Sequence, residues 1–207
     1  MVVNHRMYSV YGNALMADAI SRIKAELIQN AFIDKTYPVL TSWGVKDEDV
    51  LVHSLGCSVW NTLGHQLGYM AVVEAPAPSG AGNDIRSDSV WFSYANQQPE
   101  VVIEFERYEG SRTDKIKLVS KLMNLLEAYH RWDKKPSVLV LSFWSKEVVS
   151  APEIRELNQI VKYGANNSKG VFIPGVADAK LLLNRFFFEQ RKNNFLYLQT
   201  VNFMGAS

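Results

Sequence analysis

Glu104 and Glu106 stand two residues apart in the run "VVIEFER", residues 101–107, which alternates like a β-strand. Val101, Ile103 and Phe105 fall on one face, and Val102, Glu104 and Glu106 on the other. Residues two apart on a strand share a face at roughly 6.5–7 Å. Two carboxylates that close repel unless water or a cation relieves them. Asp88 supplies a third, at the start of the preceding strand "SVWFSYA". Pairing Tyr94 with Glu100 across the loop would set Asp88 opposite Glu106, and a two-residue shift would set it opposite Glu104. An odd shift turns Asp88 to the other face, because side chains alternate. Three carboxylates on one sheet face make a hard-oxygen site for Mg2+ or Mn2+. Such an ion activates water and neutralises a phosphoryl oxygen during phosphodiester hydrolysis. A solvated strand face with an acidic pair is the plain alternative.

Lysines on the helix that follows, "DKIKLVSKLMNLLEAYHR", are the candidate partners. Helical periodicity puts Ile116, Val119, Leu122, Leu126 and Tyr129 on the buried stripe. Lys117 points away from it, and Lys115 lies in the first turn. Lys121 borders it beside Leu118 and Leu125, where a long side chain can bury its stem and carry its ammonium along the sheet. His53, His65 and His130 have no metal-ligand spacing and read as structural or surface residues. Cys57 reads as an unreactive helix thiol. Glu74 reads as an edge charge beside the site. "SGAGND" lacks the lysine of a phosphate-binding loop.

The elements that must position these residues follow from periodicity and punctuation. A first helix spans "NALMADAISRIKAELIQNAF" with Asn13 as N-cap, and a second starts at "DEDV" with Asp47 as cap and stops at Gly68. Strands follow at "YMAVVEAPAP", "SVWFSYA" and "VVIEFERYE", then the lysine-bearing helix, then the apolar strand "PSVLVLSFWS". Residues 48–145 thus run α-β-β-β-α-β, an α/β core with a mixed sheet flanked by helices. Beyond it, "APEIRELNQIVKYG" reads as a helix with Pro152 in its first turn, and "GVFIPGV" as a short strand. "DAKLLLNRFFFEQRK" reads as a helix and "NFLYLQTVNF" as a last strand. No linker or repeat divides the chain, so residues 1–207 form one domain. Its core has an N-terminal helical region over 1–45 and a C-terminal accessory region over 150–207.

The order of these elements, with "LGYMAVVEAP", "IRSDSVWF", "VVIEFERYE" and "PSVLVLSF", resembles the PD-(D/E)XK nuclease superfamily, whose fold is restriction-endonuclease-like. The likeness covers about half the chain. It implies a metal-dependent nuclease, a DNA endonuclease, with Asp88, Glu104 and the Phe105 carbonyl as metal ligands. The family places a lysine where this chain has Glu106. Some members carry Glu-x-Glu there, and others move the lysine onto the following helix, which implies Lys121. Glu106 would then be a further ligand or would orient the attacking water. The resemblance also implies a homodimer, with residues 150–207 supplying the interface.

The chain has 207 residues, 47% hydrophobic and 21% charged, enough apolar material for a core without staples. With a single cysteine, neither an internal disulfide nor a cysteine-based zinc site is expected, and the setting expected is a reducing, cytoplasmic one. No apolar run reaches the length of a membrane span, so no membrane partner is expected. A net charge of +1 gives no global attraction for nucleic acid, but residues 107–135 hold eight basic residues against four acidic. That excess has the sign phosphate contacts need. The other expectations the sequence leaves open are a non-catalytic nucleic-acid-binding or assembly protein on the same fold, and an unrelated α/β protein.

Overall fold

The computed structural model describes residues 18–29, 31–46, 51–78, 85–147 and 149–205. The proposed caps Asn13 and Asp47 and the "SGAGND" segment lie outside them. In chain order the elements are α1 (Ala19–Ile28), α2 (Ala31–Thr36), a π-helical turn (Val39–Trp43), β1 (Val45–Lys46) and α3 (Leu51–Gln66). Then come β2 (Tyr69–Pro76), β3 (Arg86–Ser93), β4 (Pro99–Arg107), α4 (Arg112–Arg131), β5 (Val138–Lys146) and α5 (Ile154–Tyr163). A small hairpin, β6 (Ala165–Asn166) with β7 (Phe172–Ile173), precedes β8 (Lys180–Gln190) and β9 (Phe195–Met204).

Seven strands form one mixed sheet in the order β1-β9-β8-β5-β4-β3-β2. The meander β2-β3-β4 is antiparallel, β4-β5-β8 is parallel, and β8-β9-β1 is antiparallel again. Helices cover both faces. On one, α1, α2 and α3 pack over Val101, Ile103, Phe105, Val140, Trp144 and Phe186. On the other, α4 and α5 pack over Val90, Val102, Leu139, Leu141 and Phe143. The alternation expected of residues 101–107 is therefore the one adopted. Among the described residues no helix is long and apolar enough to cross a membrane.

Two glycines set how closely α3 lies on the sheet. A Cβ on Gly56 would meet the Phe105 ring at 2.1 Å, and one on Gly64 would meet the Trp91 indole at 2.6 Å. Glycine is unfavourable within a helix by about 1 kcal/mol relative to alanine. Here its missing side chain lets the helix backbone rest on two aromatic rings.

The C-terminal region departs from expectation. Residues 180–190 form strand β8, not a helix, and pair with β5 on one side and β9 on the other. Phe186 and Phe188 are buried on the α3 face, while Phe187 turns to the opposite one. Three successive aromatics cannot share one helical face, but they suit the two-residue alternation of a strand buried on both sides. Because β8 and β9 bury Leu182, Phe186, Phe188, Leu196, Leu198 and Val201 in the chain's own core, those side chains are not an accessory dimer surface. Pro152 also falls before α5 and not within it, since Glu153 is the N-cap and its side chain accepts a hydrogen bond from the Arg155 N–H.

Candidate functional site

The β3–β4 ladder pairs Val90 with Val102 and Ser89 with Ile103, and it pairs no further toward the start of β3. The β2–β3 ladder continues to Pro76 and Arg86. The β2–β3 arm therefore separates from β4 just where Asp88 begins, and a fork opens in the sheet. The register is the two-residue-shifted one, so Asp88 stands opposite Glu104 and not Glu106. A bulge between Trp91 and Phe92 moves the ladder by one residue, from the Phe92–Pro99 pairing to the Trp91–Val101 one, and so turns Asp88 onto the Glu104 face; composition does not announce it.

At the fork the Phe105 N–H, left without a ladder partner on β3, donates to Asp88 Oδ2 at 2.7 Å. A strand residue directs its N–H and C=O to the same side, so the Phe105 carbonyl also faces the fork. Lys121 reaches in from α4. Its Nζ donates to Asp88 Oδ2 at 3.0 Å and to Glu104 Oε2 at 2.7 Å. Asp88 is 5% exposed and Glu104 wholly buried.

Helix α4 is oriented by its start. Ser111 Oγ accepts from the Asp114 N–H at 3.1 Å, and Asp114 Oδ2 accepts from the Ser111 N–H at 3.1 Å, a reciprocal capping box. The Ser-x-x-Asp signal for this lies in "GSRTD", and it starts the helix at Arg112. The buried stripe runs through Leu118, Leu122, Leu125 and Tyr129, with Ile116 left 62% exposed. The stripe is thus rotated toward Leu118 and Leu125 from the position periodicity suggests. That rotation carries Lys121 onto the sheet side.

Burial pushes the Glu104 carboxyl well above the ordinary carboxylate range; Lys121 opposes this, and Asp88 adds to it. Burial also works against the Lys121 ammonium, but Glu104 and then Asp88 outweigh it and hold Lys121 above the usual lysine value. Two carboxylates share one ammonium, so the Glu104 carboxyl holds its proton more tightly than an exposed one. Glu104 Oε1 is buried and has no hydrogen-bond partner among the described residues. A carboxylate oxygen in that condition, beside Asp88 and a backbone carbonyl, fits an oxygen-preferring divalent cation.

Glu106 is not brought into this group. It lies on the same face one pleat further out, half-exposed, and its Oε1 accepts the Arg107 N–H at 2.9 Å. Among the described residues, Glu104 and Glu106 form no metal-sized cluster with Asp88. Lys115 and Lys117 are exposed. Arg107 lies over the Trp144 ring at 4.9 Å, on the opposite face from Glu104. Glu74 is exposed on edge strand β2, with a left-handed φ of 49°.

The other side of Asp88 holds two residues that sequence spacing passed over. His53 and Cys57 lie one turn apart on α3, with Nε2 and Sγ separated by 3.6 Å. His53 Nε2 is 4.0 Å from Asp88 Oδ1. The sequence signal is the four-residue interval between them; what it lacks is the third donor, which the fold brings from β3. Burial, with Asp88 next, pushes the Cys57 thiol up to about 12, which does not suit a nucleophile near neutral pH.

Comparison with protein-family models, with curated proteins and with solved structures returned no match, so the site is read from its own geometry.

Proposed function

We propose that this chain is a metal-dependent phosphodiesterase of the restriction-endonuclease-like type that hydrolyses DNA. The observation that carries the reading is the convergence of Asp88, Glu104 and Lys121 at a fork between two core strands. The element order α3-β2-β3-β4-α4-β5 supports it, as does the unpartnered oxygen of Glu104.

Asp88, Glu104 and the Phe105 carbonyl would hold Mg2+ or Mn2+, which supplies Lewis acidity toward a phosphoryl oxygen and a more acidic bound water. The Phe105 N–H fixes the Asp88 carboxylate in place. Lys121 stays protonated between the two carboxylates and offers its ammonium to the charge that builds on the phosphate. Water attacks phosphorus and gives up a proton to solvent, the bond to the leaving oxygen breaks, and that oxygen takes up a proton from solvent. Arg112, Lys115 and Lys117, exposed on the first turns of α4, supply phosphate contacts along the backbone.

A second reading has its own support. Lys121 already bridges both carboxylates, so the triad also serves as a closed structural ion cluster in a non-catalytic nucleic-acid-binding protein. The test is incubation of the purified protein with plasmid and with single- and double-stranded oligonucleotides in Mg2+ or Mn2+. Cleavage that falls to background in both Asp88→Ala and Glu104→Ala supports the enzyme. Cleavage that survives both substitutions overturns the site assignment, and binding without cleavage by the unmodified protein supports the second reading.

A further inference from the structure

We propose that His53, Cys57 and Asp88 form a second metal site, on the α3 side of the sheet fork, that takes a thiophilic divalent cation of the zinc class. The two oxygens of Asp88 face different surroundings. Oδ2 accepts from the Phe105 N–H and Lys121, whereas Oδ1 is the oxygen that His53 approaches. The α3 site therefore uses a donor atom that the Lys121–Glu104 group does not occupy, and it does not depend on the nuclease reading.

The geometry is close to what zinc requires. Zinc binds nitrogen at about 2.0–2.1 Å and thiolate sulfur at about 2.3 Å in tetrahedral array, which sets N···S at about 3.6 Å and N···O at about 3.4 Å. His53 Nε2 and Cys57 Sγ already stand 3.6 Å apart. His53 Nε2 and Asp88 Oδ1, at 4.0 Å, need a closure of about 0.6 Å, within reach of a small rotation of either side chain. The candidate donor atoms of the three residues lie within 4.8 Å of one another.

Two features of the scaffold favour preorganisation. The one-turn spacing on α3 puts His53 and Cys57 on the same helical face. Gly56, between them in sequence, lets α3 rest on the Phe105 ring, with the His53 and Phe105 ring centres 5.9 Å apart. The His53 side chain is 35% exposed, which gives an entry path and leaves the fourth coordination position to water or another ligand. Imidazole and thiolate donors select zinc or cobalt over magnesium, which prefers oxygen. Binding releases the Cys57 thiol proton to solvent as the S–metal bond forms.

The experiment is titration of the full-length protein with Co2+, followed by its thiolate-to-metal charge-transfer absorption, and with Zn2+ by calorimetry. One equivalent of Co2+ should bring up the band. Cys57→Ser should abolish it, and His53→Ala should weaken zinc binding by about a hundredfold, the upper end of what even indirect ligand contacts are worth. Zn2+ should raise the unfolding temperature of the unmodified protein but not of Cys57→Ser. Glu104→Ala should keep the band whether or not it cleaves DNA, which separates this site from the nuclease reading. No band in the unmodified protein, or an unchanged band in a folded Cys57→Ser variant, overturns the proposal.

Discussion

The two sides of Asp88 are built from the same carboxylate but from opposite chemistry. On the α4 side Asp88 meets Glu104 and an ammonium, all hard groups, with both carboxylates buried and the Lys121 side chain 21% exposed. On the α3 side it meets an imidazole and a thiol, softer donors, with partial exposure. The difference shows how one strand residue at a fork can serve two faces of a sheet. A carboxylate within a regular ladder points to one face, whereas the separation of β3 from β4 frees Asp88 to sit between them. The α4 side is held by charge, since two buried carboxylates cannot both stay ionised without Lys121. The α3 side is held by packing, through the contact of Gly56 with Phe105.

Asp88→Asn is the largest perturbation because Asp88 alone belongs to both sides. DNA cleavage should fall to background, and zinc affinity should drop by about a hundredfold. A substitution that spares either activity would separate the two regions. Lys121→Met should affect the α4 side alone. Cleavage should fall by about 10²–10³-fold, and stability by up to about 3 kcal/mol, limited by protonation of Glu104. Denaturant unfolding and single-turnover assays measure the two, and an unchanged cobalt spectrum would show that the sides are independent.

Gly56→Ala tests the packing side. Its Cβ cannot fit against the Phe105 ring, so α3 must lift or the ring must move, at a cost of about 1–3 kcal/mol in denaturant unfolding. Metal affinity on the α3 side should suffer more than cleavage. Glu106→Gln should have the smallest effect, within about half a kcal/mol in stability, because its half-exposed carboxylate contacts a neighbouring backbone N–H. Its effect on cleavage should be correspondingly small. A large loss of activity would restore Glu106 to the metal group.

The α4 side was largely legible before the fold was known. Alternation put Glu104 and Glu106 on one face, an even register would bring Asp88 onto it, and the stripe edge singled out Lys121. The register was not legible, because the bulge at Trp91 and Phe92 depends on how the turn and its neighbours pack. Residues 180–190 are ambiguous in period: leucines and phenylalanines in close succession satisfy a buried strand as readily as a helix, and the strand neighbours that decide the matter are remote in sequence. His53 and Cys57 carried too weak a pattern by themselves, since two donors one turn apart on a helix gain meaning only from a third.

By itself the sequence determined the periodic elements, the faces of β4 and the residue types able to hold a cation, because these depend on local spacing. Tertiary structure decided where β3 leaves β4, which lysine points inward and which groups flank Asp88. Those outcomes depend on packing between segments far apart in the chain, and no local pattern records them.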